Sequence, residues 1–189
     1  MTSVSIIGNG NMAKAIGGVV ADGGSTVEYL GRTGSAVNGD IVVLAVPYPE
    51  VDNVIAQYGD ALAGKTVVDI TNPLDFATFD GLVVPADGSA AAVIAAKLPG
   101  SKVVKAFNTT FAATLASKKV GDVQTTVLIA GDDDAAKAEL AAAITAGGVK
   151  AVDAGSLKRA RELEALGFLQ LTLAVGEQIA WTGGFALQA

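Results

Sequence analysis

Near its start the chain reads Val4-Ser5-Ile6-Ile7-Gly8-Asn9-Gly10-Asn11-Met12-Ala13, a short apolar run that ends in GxGxxA and passes directly into a helical pattern. A strand, a glycine turn and a helix in that order are what a dinucleotide-binding βα unit requires. Gly8 permits the tight turn, Gly10 lets backbone approach a pyrophosphate, and Ala13 is small enough for close helix packing on the strand. The N–H groups at the helix start are free to bind phosphate. An ordinary strand-to-helix turn can look the same, so the rest of the chain has to decide.

Half of the 189 residues are apolar (51%), mostly Ala, Val, Ile and Leu in short blocks, and only 5% are aromatic. That pattern suits strands covered by helices on both faces. A net charge of −6 argues against nucleic acid or an anionic membrane as partner. The chain has neither cysteine nor histidine, which excludes disulfides, thiolate metal sites and Ser-His-Asp chemistry. The early strand pattern leaves no room for a secretory signal, and the apolar stretch from Ala165 to Val175 is too short to cross a bilayer. The expected location is cytoplasmic.

After the loop, Met12, Ala15, Ile16, Val19 and Val20 recur at helical spacing, and Asp22-Gly23-Gly24 ends the helix. Val27 to Leu30 reads as a second strand. At this strand's end a carboxylate would suit a free ribose 2′-hydroxyl, whereas arginine accommodates a 2′-phosphate. The residues here are Gly31-Arg32-Thr33-Gly34-Ser35, with no carboxylate among them. Arg32, Thr33 and Ser35 therefore point to NADP over NAD. Only nine residues separate Leu30 from the run Asp40 to Val46. That is too short for a crossover helix, although extended chain of this length spans roughly 30 Å. The first half of the sheet should consequently lack its usual third strand.

Asp40 to Val46 has the near-continuous apolar character of a central parallel strand, closed by Pro47-Tyr48-Pro49. A helix with Val51, Val54, Ile55 and Tyr58 on its buried face follows, then a strand from Thr66 to Ile70. Further on come a helix from about Ser89 to Leu98, a strand Lys102 to Ala106, a strand Gln124 to Ala130, a helix from about Asp133 to Ala146 and a strand Val149 to Ala154. This alternation predicts an α/β fold: a Rossmann-type, doubly wound, mostly parallel sheet with right-handed crossovers, a trimmed first half and a C-terminal helical segment. Residues 1–155 would form the nucleotide-binding domain and 156–189 the helical segment. Asp132-Asp133-Asp134 follows Gly131 and precedes a helical pattern, so it is read as a helix cap rather than a metal site. From Ala165 to Val175 the last helix is apolar on nearly every side, which predicts burial all round and a homodimer to provide it.

Ligands of open parallel sheets bind outside the carboxyl ends of the strands. That rule selects Gly8 to Met12, Ala45 to Tyr48, Thr71 to Leu74 and Ala106 to Phe111, which together hold no ionisable group apart from the Tyr48 phenol. Dehydrogenases of alcohols or amino acids need a residue to move the substrate proton, whereas hydride transfer between two stacked rings needs chiefly their positions. Asn108 and Thr109 can orient one ring by hydrogen bonds or, equally, cap the turn after their strand. Tyr29 and Trp181 read as packing residues.

Gly8-Asn9-Gly10-Asn11-Met12-Ala13, Gly31-Arg32-Thr33, Leu44-Ala45-Val46-Pro47, Asp69-Ile70-Thr71-Asn72-Pro73-Leu74, Lys105-Ala106-Phe107-Asn108-Thr109 and Ala130-Gly131-Asp132-Asp133 together resemble the NADPH-dependent coenzyme F420 (deazaflavin) reductases. The likeness continues through Val152 to Leu157 and Arg161 to Leu166. It implies a cofactor site formed by Gly8, Asn9, Gly10, Asn11, Met12, Arg32, Thr33, Ser35, Ala45, Val46, Pro47 and Ala106, with the nicotinamide near Asn108. Asn72, Pro73, Thr109, Thr110 and Phe111 would face the substrate. It also implies a homodimer, and coenzyme F420 or a flavin as second substrate. The chain departs from the family in the short stretch after its second strand, and in Thr109-Thr110-Phe111, where members tend to carry proline. The phosphate loop alone is also similar to that of pyrroline-5-carboxylate reductases. The resulting expectation is an NADP-dependent oxidoreductase moving hydride to a flavin-like acceptor. The alternatives are a non-catalytic NADP(H)-binding regulator and a reductase of a small imine or carbonyl.

Overall fold

The structure is a computed structural model that describes residues 2–31 and 36–188. Alternating side chains decide its layering. In the strand β3 (Ile41–Leu44) all four residues are fully buried. Ile41 and Val43 point into one hydrophobic layer and Val42 and Leu44 into the other. Each such aliphatic side chain contributes roughly 1.5–3 kcal/mol on burial, so a strand apolar on both faces is stable only at the centre of a covered sheet.

The sheet around it has seven strands in the order β2-β1-β3-β4-β5-β8-β9. These are β1 (Ser3–Ile7), β2 (Thr26–Leu30), β3, β4 (Thr66–Asp69), β5 (Lys102–Lys105), β8 (Thr126–Gly131) and β9 (Lys150–Gly155). The helices α1 (Asn11–Asp22), α4 (Ala112–Ser117) and α5 (Asp134–Ala146) cover one face, while α2 (Val51–Tyr58), α3 (Ala90–Lys97) and the start of α6 (Ala160–Val175) cover the other. The Rossmann-type reading holds, including its trimmed half: β2 is the edge strand, and β3 returns to the opposite side of β1. Residues 36–40 make that passage without a helix, held where Asn38 donates both its backbone N–H and its side-chain amide to Glu28. Asp133 caps α5 as expected, and Ser89 caps α3, each accepting from the N–H three residues on.

Three features differ from expectation. β8 runs antiparallel to β5, with Lys105 opposite Ala130, so the sheet is not parallel throughout. An antiparallel neighbour needs no crossover. The intervening chain instead forms α4, packed on α1, and the small hairpin β6 (Lys119–Val120) and β7 (Val123–Gln124). Neither was anticipated, because α4 is six residues long and stops at Lys118 in a left-handed conformation (φ 60°), where glycine would have signalled the end. Finally, α6 is not buried all round within this chain. Leu169 and Val175 are half exposed, and the inward face carries Glu164 and Gln170, both buried.

That inward face is fixed by charge. Lys105 Nζ, fully buried at the end of β5, donates to Asp69 Oδ2 of β4 at 2.8 Å, to Glu164 Oε1 of α6 at 2.9 Å and to the Thr71 carbonyl. Glu164 also accepts the first two N–H groups of α3, from Ala90 at 2.8 Å and Ala91 at 3.2 Å. Burial pushes the Glu164 carboxyl above the usual carboxylate range, and Lys105 only partly opposes the shift. A raised folded-state value means stability from this group is present at low pH and is lost as pH rises through it. Lys105→Met leaves two buried carboxylates without a cation and should cost about 3–5 kcal/mol in urea unfolding. Glu164→Gln keeps the Lys105–Asp69 pair and should cost no more than about 2 kcal/mol, while flattening the fall in stability as pH rises above the ordinary carboxylate range.

Candidate functional site

Two cavities open at the carboxyl ends of the strands, and the glycine loop divides them. Gly8, Asn9 and Gly10 line the first, of about 600 Å³, together with Gly31 and Ala45, Val46 and Pro47. Asn11 and Met12 line the second, of about 470 Å³, with Ile70, Asn72, Phe107, Asn108, Thr110, Phe111, Leu171 and Trp181. One five-residue loop thus serves both.

The two glycines of the loop have different causes. Gly8 has φ +128°, and a Cβ there would lie 2.2 Å from the Ala45 carbonyl oxygen. It is required by the positive φ and by the close approach of the loop after β1 to the residue that follows β3. Gly10 has φ −71°, open to any residue, and a Cβ there would meet nothing within 4 Å. The space in front of Gly10 is therefore left for something other than protein, and the N–H groups of the first turn of α1 have no side-chain cap. A pyrophosphate fits this setting by chemistry as well as by room.

The second cavity is built around a backbone outlier. Phe107 is fully buried with φ +63°, a conformation costing a non-glycine residue on the order of 1–3 kcal/mol. It turns the chain sharply after β5 and presents Asn108. Asn108 Nδ2 donates to Asn72 Oδ1 at 2.9 Å and to the Leu163 carbonyl at 2.8 Å, while Asn72 Nδ2 donates to the Asn108 carbonyl at 2.9 Å. These partners fix both amide orientations. Asn108 Oδ1 is left buried without a partner among the described residues. An unpaired buried acceptor costs about 1–3 kcal/mol, so it suits an N–H donor from a ligand such as a carboxamide. α6 comes close here because residue 167 is glycine: a Cβ there would lie 2.3 Å from Asn72 Oδ1.

The structure brings Gly8, Asn9, Gly10, Ala45, Val46 and Pro47 together in one cavity and Asn11, Met12, Asn72, Asn108, Thr110 and Phe111 in the other. Ala106 is fully buried and lines neither. Pro73 also lines neither, and Thr109 faces a separate small cleft beside Phe185 and Leu187. Arg32, Thr33 and Ser35 lie outside the described residues. Sequence reasoning missed Glu50, Asn53, Val54, Gln57 and Tyr58 in the first cavity, although their spacing of three and four residues marks one helical face. It also assigned Trp181 to packing, whereas that residue is half exposed and lines the second cavity.

Residues 21–73 match the family model described as "NADP oxidoreductase coenzyme F420-dependent". The F420-dependent NADP reductase of Methanocaldococcus jannaschii is 36% identical over 155 residues, covering 79% of this chain and 68% of that one. That of Methanothermobacter marburgensis is 32% identical over 158 residues, covering 79% and 69%. The chain belongs to the F420-dependent NADP reductase family. Members of this family are oxidoreductases, and so is this protein. In structure, a chain from Arthrobacter sp. FB24 provisionally named an F420-dependent NADP reductase superposes with TM-score 0.85 over the whole of both chains at 23% identity, which shows the shared fold. No helix among the described residues is long and apolar enough to cross a membrane.

The contrast between the glycines is testable. Gly8→Ala should yield protein that is largely insoluble or markedly less stable in thermal unfolding. Gly10→Ala should unfold like the wild type but, if a pyrophosphate occupies the open space in front of it, bind NADPH at least about 10-fold more weakly in calorimetry.

Proposed function

We propose that the protein transfers hydride between NADPH and a planar deazaflavin or flavin-like acceptor. In this reading, Gly8 to Met12 hold the pyrophosphate, Arg32, Thr33 and Ser35 receive the 2′-phosphate, and the second cavity takes the nicotinamide and the acceptor ring. The observation that carries it is the lining of that cavity, which contains no Asp, Glu, Lys or Arg. NADPH, when bound, would supply the hydride and solvent the proton that the acceptor ring takes up with it; the protein's part is to bind and align the two rings. Asn108 Oδ1 accepts an N–H of the nicotinamide carboxamide, and the Asn72 and Leu163 contacts keep that oxygen aimed. A small imine or carbonyl acceptor would need a proton donor, and this lining offers only the Thr110 hydroxyl, which already donates to the Phe107 carbonyl. The family relatives, named as F420-dependent NADP reductases, support a deazaflavin as acceptor.

Residues 156–189 serve to close the site and to dimerise. α6 leaves Leu169 half exposed opposite its buried face and Val175 half exposed at its end, the kind of apolar surface that a second copy of the chain covers. Light scattering should find a dimer, and Leu169→Asp should shift it to monomer at micromolar concentration. A wild-type monomer would remove this part of the proposal.

The reaction is tested by mixing the protein with NADPH and coenzyme F420, FMN or FAD without oxygen and following absorbance. Loss of NADPH matched mole for mole by reduced acceptor is expected. Binding without turnover of any acceptor would overturn the reading. Arg32→Ala should raise the KM for NADPH about 10-fold or more while leaving that for NADH within about 2-fold; equal losses would remove the NADP assignment.

A further inference from the structure

Beyond the last helix the chain folds back over the second cavity. α6 ends at Gly176, Glu177 adopts φ +57°, and Gln178 N–H returns to the Leu173 carbonyl at 2.8 Å. The reversal is then secured by one buried side chain. Gln170 Oε1 accepts the Phe185 N–H at 3.0 Å, and Gln170 Nε2 donates to the Thr109 carbonyl at 3.2 Å. The same residue thus ties the returning tail to the loop that carries Asn108 and Phe111. Gly184, at φ +137°, permits the close approach, since a Cβ there would lie 2.9 Å from Gln170 Oε1.

The result of this latch is the position of Trp181. Its indole lies 5.0 Å from the Phe111 ring, centroid to centroid, at an interplanar angle of 54°. Both line the second cavity. Phe111 is 8% exposed and belongs to the wall, whereas Trp181 is 52% exposed. A tryptophan held by a buried latch yet left half in water buries too little area to be explained by packing alone. Two tilted rings beside a cavity without charge form a surface that fits the face of a planar, uncharged heteroaromatic ring. The loop end of that cavity, at Asn11, Met12 and the free Asn108 oxygen, suits the nicotinamide, which leaves the aromatic wall for the other ring.

We propose that Phe111 and Trp181 form the stacking wall that selects the hydride acceptor by the size and planarity of its ring system, with Gln170 as the positioning residue that holds Trp181 over the cavity. This inference rests on the second cavity being the acceptor site. It makes the tail a determinant of acceptor specificity and leaves nicotinamide binding independent of it. A tricyclic ring is long enough to stack on one aromatic face and abut the other, which is tilted 54° from it, while a small carbonyl compound reaches neither.

The chain contains one tryptophan, so its indole emission reports on this wall alone. Adding oxidised coenzyme F420 or FMN to the protein saturated with NADP⁺ should quench that emission with saturation. Trp181→Ala should raise the acceptor KM about 5- to 50-fold, the range expected for loss of one aromatic stacking partner, with the NADPH KM within about 2-fold and the thermal midpoint unchanged. Trp181→Phe should restore most of the acceptor affinity. Unchanged acceptor KM in Trp181→Ala, equal rises in both KM values, or acceptor binding that leaves the emission untouched would each overturn the wall. Quenching without NADPH oxidation would instead overturn the proposed reaction and leave the wall standing. If neither ring system binds when followed by its own fluorescence, both fall.

Discussion

The ammonium of Lys105 is the point on which the functional end of the molecule depends. It sits at zero exposure where β4 and β5 end, and its three hydrogens are taken by a carboxylate of β4, a carbonyl of the following loop and a carboxylate of α6. A cation so placed admits little freedom, because any displacement leaves a charge in the interior without its partner. Such a cluster contributes little net stability compared with well-packed hydrocarbon. What it supplies is a single position for α6 relative to the strand ends. The excess negative charge is spread by Glu164 onto the N-terminus of α3, whose free N–H groups attract an anion. Sheet, α3 and α6 are thereby joined by one group before any contact at the cavity is counted.

From that junction the cavity follows in short steps. With Glu164 fixed, Gly167 falls one turn further along α6, against Asn72 and Asn108, and Gln170 falls where it can reach the Thr109 carbonyl. The left-handed Phe107 is sustained by the same packing, since its ring is wholly buried in the layer beneath α1 and α4. Conformational strain of this kind persists only where the surroundings over-determine it. Here it presents Asn108, whose Oδ1 is buried without a partner among the described residues.

Much of this was legible in the sequence. Strand positions followed from apolar runs, the cap residue Asp133 from its place before a helical pattern, and the trimmed sheet from nine residues too few for a crossover. The glycine loop and the segments at the strand ends, which the structure gathers around two cavities, were located by spacing and by where parallel sheets bind ligands. The Lys105 cluster was not, although Asp69 and Lys105 both stood in the segments compared with the family. Each residue reads as an ordinary strand-end charge, and Glu164 as part of a solvated helix start; only the pairing of β4 with β5, which sets Asp69 beside Lys105, brings them together. The place of Trp181 at the cavity was not legible for a related reason. A single aromatic beyond the last helix has no periodicity, and its place is decided by Gln170, a contact across fifteen residues.

The arrangement also explains why a site so close to three ionisable groups contains none. Lys105, Asp69 and Glu164 lie directly behind the second cavity, and a dehydrogenase needing a proton would have use for any of them. Here every hydrogen of Lys105 is committed to a partner, and Glu164 is occupied by two backbone donors and the ammonium. What reaches the cavity from this cluster is mechanical: a helix held in register, two amides held in orientation, and a tail held across the opening. A reaction in which charge moves as a hydride between two rings asks for that and no more, because nearly all of its demand on the protein is distance and alignment.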